Sequence, residues 1–314
     1  MSRLEVRIPL PTIFLLIGIN VLWAGSSLAA KIALANIPPM TLAFARFALA
    51  ALLIYGLALA LKVDLRVARR DWGAFWAMGM LGIGLTYILS YSGLRLTTVS
   101  DSALLHATET VFLSLMAWFF LHEVMSRMKV AGILAGLVGV FLIIANGWKV
   151  PLLTGMVEGN LLIALGLIFE AGSSIVGKNL VARYPALTVV TYQMLSGAIA
   201  LAPFSLLEIS KLSAAGHPLA GISASALLSL LYLILPCTVL GYTIWFMILD
   251  QRQPGEMSLF LFIQPVVGAI LGAVFQGDSI TKFTITGAFL VMLGIGLVHR
   301  RSALPKSPLL IPGL

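Results

Sequence analysis

Titratable side chains lie inside long apolar stretches of this sequence. Asp101, His106 and Glu109 share one stretch, with Glu109 near its middle, and Glu170 lies near the middle of another. Catalytic motifs do not accompany them, because the His-Glu pair at 122–123 lacks the second histidine of a zinc site and the sequence contains no nucleophile elbow or Walker loop. A carboxyl group among apolar residues can instead bind a cation or exchange a proton. The pattern therefore favours binding or transport over catalysis.

The apolar stretches have the length and composition of membrane spans. Of 314 residues, 60% are hydrophobic and 10% are charged, and the mean hydropathy is +1.04, which excludes an ordinary water-soluble enzyme. A helix needs roughly 20 apolar residues to cross a bilayer. Runs of about that length lie at about 11–33, 40–61, 72–94, 98–121, 129–146, 158–181, 187–207, 226–249, 255–275 and 283–299. Because these runs lack the alternation of membrane β-strands, we predict an all-α membrane protein with ten transmembrane helices.

The distribution of cationic residues predicts the orientation in the membrane. The chain has 20 Lys and Arg against 12 Asp and Glu, which gives a net charge of +8. With a cytoplasmic N-terminus, 14 of the cations lie in cytoplasmic connectors, 5 lie on the other side, and Arg46 lies inside a span. Because cytoplasmic loops are enriched in Lys and Arg, we expect a multi-pass protein of the cell (inner) membrane with cytoplasmic N- and C-termini. The charge is then explained without a nucleic-acid partner.

Two segments 147 positions apart share a common pattern. The segment Trp23–Thr41 matches Glu170–Thr188 at eight of nineteen positions, including a Ser-Ser pair and a lysine. A shift of 155 then aligns Glu109 with Gln264. Each half contains five predicted spans, and because five is odd the second half enters the membrane from the opposite face. We expect two inverted five-helix repeats, at 1–150 and 151–314, around a central cavity. Simple Gly/Ala low complexity is the alternative.

The N-terminal stretch also fits a cleaved secretory signal. Arg3 and Arg7 precede an apolar run that ends in Ser-Leu-Ala-Ala, a small-residue sequence typical of cleavage sites. A cleaved signal would have no reason to share a pattern with a helix in the middle of the chain. The repeat therefore favours a structural span.

Several motifs resemble the EamA-type branch of the drug/metabolite transporter superfamily. The first half has W-A-G-S-S with Lys31, then P-P-M-T-L-A-F-A-R ending at Arg46, and L-H-E at 121–123; the second half has Lys178, Gln264 before a proline, and Asp278. The resemblance implies ten helices in two inverted halves, a central cavity, and export of small metabolites such as amino acids without ATP hydrolysis. The family usually has an aromatic residue at the Glu170 position and proline at the Glu109 position, so this chain departs from it there.

The candidate substrate-binding residues are polar or aromatic side chains within the spans. They are Glu109, Glu170, His106, Trp23, Asn20, Ser27, Ser173, Tyr87, Tyr91, Tyr242, Trp245, Gln264 and Arg46. Glu109 and Glu170 are also candidates for proton coupling. Arg46 either binds a substrate carboxylate or extends to the interface, as we expect Lys31 and Lys178 to do. Core packing is the alternative for the aromatic residues. We expect no metal, cofactor or catalytic residue.

These observations predict a secondary transporter that works by alternating access. We expect its substrate to be a small amphipathic metabolite, such as an amino acid or a related compound, and we expect export. Whether export is coupled to protons is left open. Uptake of a cationic amine is one alternative, and a lipid-handling scaffold or flippase is an alternative of another class. We expect a monomer in the lipid bilayer, although glycines in spans five and ten would also permit a homodimer.

Overall fold

The computed structural model describes residues 9–97, 99–145, 157–214, 222–276 and 281–299, and these residues contain helices but no β-strand. The helices are α1 (Leu10–Leu34, with a turn at Gly25), α2 (Pro39–Ala60), α3 (Arg69–Leu96), α4 (Val99–Leu121), α5 (Arg127–Ala145), α6 (Val157–Val181), α7 (Ala186–Ala214), α8 (Ala224–Gln251), α9 (254–276) and α10 (Lys282–His299). Of these, α9 begins with a short helix, Pro254–Met257, continues through a 3-10 segment, Ser258–Phe262, and ends with Ile263–Gln276.

Six of the helices, α1, α2, α3, α6, α7 and α8, are long and apolar enough to cross a membrane. Shorter apolar stretches occur in α4 (Leu105–Leu121) and in α10 (Ile285–Leu297). Large apolar side chains such as Phe14, Leu52 and Leu206 are exposed on the outside of the bundle, as a lipid environment permits. The predicted all-helical class is confirmed, whereas the count of ten spans stays a prediction.

Two helices contain a segment of wide π-helical turns near their middle. In α3 it covers Met80–Leu85, and in α8 it covers Leu233–Leu240 and includes Pro236, which has no N–H to donate. A threonine hydroxyl compensates at each place: Thr86 donates to the carbonyl oxygen of Leu81 and Thr238 to that of Leu233, both at 2.7 Å. The helices therefore change their winding without leaving those two carbonyl groups unpaired in the bundle interior.

The helices α2 and α7 cross in opposite directions. Near the start of α2, the backbone N–H of Thr41 donates to the Glu208 carboxylate near the end of α7 (2.8 Å). At the other end, the hydroxyl of Thr188 near the start of α7 donates to the carbonyl oxygen of Asp64, just beyond α2 (2.8 Å). Contacts at both ends thus fix the two helices as an antiparallel pair.

The helices α5 and α10 form a second antiparallel pair, with glycines at the contact. Gly132 of α5 faces Gly294 of α10, and Gly139 faces Gly287, so that early residues of one helix meet late residues of the other. A Cβ atom built on Gly294 would lie 2.6 Å from the carbonyl oxygen of Gly132. Only glycine fits at this distance, and the close contact keeps the pair together.

Two lysines hold the ends of neighbouring helices. The ammonium group of Lys31 donates to the carbonyl oxygens of Leu94 (2.5 Å) and Thr97 (2.7 Å) at the end of α3, and that of Lys178 donates to Leu249 (2.7 Å) at the end of α8. The expectation that these lysines extend to the interface is therefore incomplete. They satisfy carbonyl groups that have no partner within their own helix.

The glycine contact between α5 and α10 predicts a difference between two substitutions in one helix. We expect Gly294→Ala to lower the free energy of unfolding by about 1–3 kcal/mol, because the new methyl group meets backbone atoms that cannot move aside. Gly296→Ala is the control, since a Cβ there has no atom within 4 Å, and it should be neutral or slightly stabilising. Unfolding in detergent measures both, and equal stabilities would contradict the packing described here.

Candidate functional site

A cavity of about 60 Å³ lies between eight of the helices. Its lining residues are Trp23 and Ser26 from α1, Arg46 from α2, Gly82 and Tyr87 from α3, His106 and Glu109 from α4, Glu170, Ser173 and Ser174 from α6, Gln193 from α7, Tyr242, Trp245 and Phe246 from α8, and Leu261 and Gln264 from α9. One buried water needs roughly 10–15 Å³ on this measure. The cavity in this conformation therefore has room for a few waters.

The cavity brings together ten of the thirteen side chains predicted from the sequence: Trp23, Arg46, Tyr87, His106, Glu109, Glu170, Ser173, Tyr242, Trp245 and Gln264. Tyr91 and Asn20 instead stand behind lining residues, since the Tyr91 hydroxyl accepts a hydrogen bond from Arg46 (2.9 Å) and the Asn20 oxygen accepts one from Gln264 (3.1 Å). Ser27 is outside the lining, and its neighbour Ser26 occupies the place expected for it. These three side chains do not line the cavity, and their part in substrate binding stays a prediction.

Six lining residues were not predicted: Ser26, Gly82, Ser174, Gln193, Phe246 and Leu261. The repeat contained the signal for five of them. The shift of 147 pairs Ser26 with Ser173, Ser174 with Ser27 and Gln193 with Arg46, and the shift of 155 pairs Phe246 with Tyr91 and Leu261 with His106. A search of the partner positions of each candidate would have found them.

A line of contacts crosses the cavity from a cation to an anion. The Arg46 guanidinium lies over the Tyr87 ring, 5.0 Å from its centroid. The hydroxyl of Tyr87 is 3.2 Å from that of Tyr242, and Tyr242 in turn donates to Oε1 of Glu170 (3.0 Å). The two tyrosines therefore separate the opposite charges and orient both of them.

Arg46 is buried, with 3% of its surface exposed. Its Nε donates to the hydroxyl of Thr238 (2.7 Å) and its Nη1 to that of Tyr91 (2.9 Å), while Phe47 packs against the guanidinium at 4.9 Å. Among the described residues, no carboxylate lies within 4 Å of it. The alternative that Arg46 extends to the membrane interface is thus wrong, and a charged group is held facing the cavity without an ion pair.

Glu109 lines the cavity in a different way. It is 7% exposed, and within the described part of the chain nothing forms a hydrogen bond with its carboxyl group. The neighbouring His106 is bonded to its own helix, with Nδ1 2.7 Å from the carbonyl oxygen of Ser102. No hydrogen bond joins the histidine to Glu109, so the acid is available to a proton or a ligand in the cavity.

Other charged residues named from the sequence lie elsewhere. Glu123 forms an ion pair with Lys129 (2.9 Å) and also accepts from the backbone N–H of Gly255 at the start of α9 (3.2 Å). The side chain of Asp101 and the whole of Asp278 lie outside the described residues.

Aromatic side chains form one wall of the cavity. The ring centroid of Trp23 is 5.7 Å from those of Tyr242 and Trp245, and its indole N–H donates to the carbonyl oxygen of Cys237 (2.8 Å). That bond joins α1 to the wide turn of α8. The wall can therefore receive an apolar group while its polar edge stays satisfied.

The contact between Tyr242 and Glu170 can be tested by a double-mutant cycle. We expect Tyr242→Phe and Glu170→Gln to be coupled by about 1–2 kcal/mol in the free energy of unfolding, because Tyr242→Phe removes the buried hydrogen bond and Glu170→Gln removes the negative charge that strengthens it. Tyr87→Phe with Glu170→Gln is the matched control and should couple less, since Tyr87 reaches Glu170 only through Tyr242. Additive effects of the first pair would contradict this geometry.

Proteins of similar sequence are named as transporters. An uncharacterized transporter from Archaeoglobus fulgidus is 25% identical over 284 residues, which are 90% of this chain and 96% of the relative. A probable amino-acid metabolite efflux pump from Salmonella typhimurium is 27% identical, with 90% and 92% of the two chains covered. Its counterpart from Escherichia coli is 25% identical, with 88% and 90% covered.

A solved crystal structure has the same fold, with a TM-score of 0.75 over 92% of this chain and 96% of the other, at 19% identity. The model of the EamA-like transporter family matches residues 10–145 and 157–300. This match covers most of the sequence, and it agrees with the motifs and the apolar helices. The chain is a multi-pass membrane protein that belongs to the EamA-like transporter family.

Proposed function

We propose that this protein is a secondary carrier that exports a small amphipathic metabolite, an amino acid or a related compound, by alternating access. The observation that carries the proposal is the buried cavity, which eight helices line with charged, polar and aromatic side chains. Such a site recognises a small solute with polar and apolar parts. The thirteen candidate side chains named from the sequence remain the proposed binding residues, with Tyr91 and Asn20 acting through the lining residues that they contact.

Two inverted five-helix halves, 1–150 and 151–314, would provide the two conformations. The contacts between helices support this arrangement. Each helix of the first half has an equivalent five places later in the second half, and the contacts are repeated between equivalent helices. The helix α3 contacts α6, and their equivalents α8 and α1 are also in contact; the same holds for α4 with α6 and for α9 with α1. The pairs α2–α7 and α5–α10 each consist of two equivalent helices, and both are antiparallel. The family model also matches once in each half.

Individual contacts repeat in the same register. The ammonium group of Lys31 donates a hydrogen bond to the carbonyl oxygen of Leu94. The equivalent of Lys31, by the shift of 147, is Lys178, and that of Leu94, by the shift of 155, is Leu249; these two residues form the same hydrogen bond. The shift of 155 also pairs Tyr87 with Tyr242, so the hydroxyl contact at the centre of the cavity joins two equivalent residues. In an inverted repeat, residues that meet their own equivalents lie on the axis that relates the halves. Rocking about this axis would open the cavity to each side in turn.

Glu109 and Glu170 are the proposed sites of proton coupling. Both are in one small cavity, and charged carboxyl groups are costly at this depth of a membrane. A proton or a cationic group of the substrate would remove that cost. Coupling of export to the inward flow of protons follows if substrate and proton exchange at these residues.

The proposed location is the cell (inner) membrane, with both termini cytoplasmic, as the distribution of Lys and Arg favours. The names of the relatives from Salmonella typhimurium and Escherichia coli support efflux of amino-acid metabolites. We propose a monomer as the working unit, since the glycine faces of α5 and α10 are occupied by each other.

Purified protein in liposomes tests the carrier function directly. Vesicles loaded with an unlabelled mixture of amino acids should take up labelled amino acids by counterflow, which needs a saturable carrier and no partner. Labelled polyamines test uptake of a cationic amine, and a fluorescent phospholipid tests lipid flipping. Lipid movement without any counterflow would overturn the proposal.

The proton role predicts a specific defect in Glu109→Gln. This variant cannot release a proton at position 109, so accumulation driven by a pH gradient should fall to the level seen without a gradient, while counterflow at equal pH continues. Glu158→Gln is the control, because Glu158 is exposed at the start of α6. Gradient-driven transport by Glu109→Gln equal to wild type at every pH would remove the proton role of this residue.

A further inference from the structure

We infer that Arg46 and Glu170 form the two ends of a clamp for a zwitterion, so that the substrate carries both a carboxylate and an amine on one small apolar molecule. This inference rests on the proposed carrier function and assigns the chemistry of its site. It also separates the roles of the two acids, giving Glu170 to the substrate amine and leaving Glu109 to the proton.

The first argument is the separation of two buried charges. Arg46 and Glu170 line the same cavity, yet they are not within 4 Å of each other, and the hydroxyls of Tyr87 and Tyr242 lie between them. Opposite charges in a medium of low dielectric constant attract strongly, and holding them apart leaves each incompletely compensated. A ligand with one negative and one positive end would compensate both at once.

The second argument is the set of polar atoms with no partner. Arg46 has partners at Nε and Nη1, and within the described residues none bonds to its Nη2, which therefore has donors for a carboxylate. At the other end, Oε1 of Gln193 is buried without a hydrogen bond from the described residues. One side thus lacks an acceptor and the other lacks a donor.

The orientation of Gln193 is fixed by its neighbour. The hydroxyl of Ser173 donates to the carbonyl oxygen of Met78 (2.9 Å), so its oxygen can only accept from Nε2 of Gln193 (3.1 Å). This leaves Oε1 as the free atom of the amide. Ser173 is three residues after Glu170 on α6, so the free oxygen and the carboxylate lie at the same end of the cavity. An ammonium group has three N–H donors and can use both acceptors.

The balance of charge assigns the remaining acid. One guanidinium and one carboxylate match the two charges of a zwitterion, so Glu109 is in excess. Its carboxyl group has no hydrogen bond from the described residues, in contrast to that of Glu170, which Tyr242 holds. A group without a fixed partner can gain and lose a proton without breaking the site. The aromatic wall of Trp23, Tyr242 and Trp245 is the place for an apolar side chain.

Three ligands that differ by one charged group test the clamp: leucine, 3-methylbutylamine, which lacks the carboxylate, and 4-methylpentanoate, which lacks the amine. Calorimetry on purified full-length protein measures their dissociation constants. Wild type should bind leucine at least about tenfold more tightly than either analogue, because each lost charge-assisted hydrogen bond costs at least that factor.

The variants then link each charge to one side chain. Arg46→Gln should weaken leucine binding about 10- to 100-fold and change that of 3-methylbutylamine less than about threefold. Glu170→Gln should weaken binding of leucine and of the amine, and leave 4-methylpentanoate nearly unchanged. Arg95→Gln and Glu158→Gln, both at exposed positions, are the matched controls.

Each outcome decides a separate point. Equal losses for leucine and the amine in Arg46→Gln would overturn the clamp, as would failure of wild type to bind leucine more tightly than both analogues. An amine-specific loss in Glu109→Gln instead of Glu170→Gln would overturn the division between the two acids. If Arg46→Gln does not fold, Arg46→Lys carries the test, since it keeps the charge but loses the planar pair of donors. Counterflow with mixed amino acids reports on the carrier function independently.

Discussion

The cost of placing charge inside a membrane determines how this molecule is built. Arg46, Glu109 and Glu170 are surrounded by apolar helices, where each ionised group would be unfavourable in the absence of partners. For Arg46 and Glu170 the fold supplies those partners by irregular means: tyrosine hydroxyls, an aromatic face and a threonine in a wide helical turn. Within the described residues, Glu109 has no such hydrogen-bond partner. Nothing in this set neutralises Arg46 directly, and that incomplete compensation distinguishes the proposed binding site from a structural ion pair such as Glu123–Lys129.

The rest of the bundle holds these groups in place through contacts outside the cavity. Glycines bring α5 and α10 into direct backbone contact. Lys31 and Lys178 hold the ends of α3 and α8, the two helices that contribute Tyr87 and Tyr242. The tyrosine pair is thereby supported from both halves of the chain. Precision at the site therefore depends on contacts near the ends and edges of the bundle.

Much of this arrangement could be predicted from the sequence, because burial of a charge is visible there as a polar residue in an apolar run. Glu109, Glu170 and Arg46 were found in this way, and the repeated Ser-Ser and Lys pattern indicated two related halves. Arg46 was ambiguous, since an arginine one or two turns inside a span can extend to the interface or turn inward. The choice depends on Thr238 and Tyr91, which are distant in sequence and meet it only in the folded bundle.

Thr238 serves two structural purposes at once. Its oxygen accepts from Arg46 while its hydrogen bonds to Leu233 within the wide turn of α8. A displacement of the Arg46 guanidinium would therefore act on the π-helical segment of α8. The helix α3 has a corresponding π-helical segment, which Thr86 stabilises. In the alternating-access carrier proposed above, α3 and α8 would bend at these turns, so that one side of the bundle opens while the other stays closed.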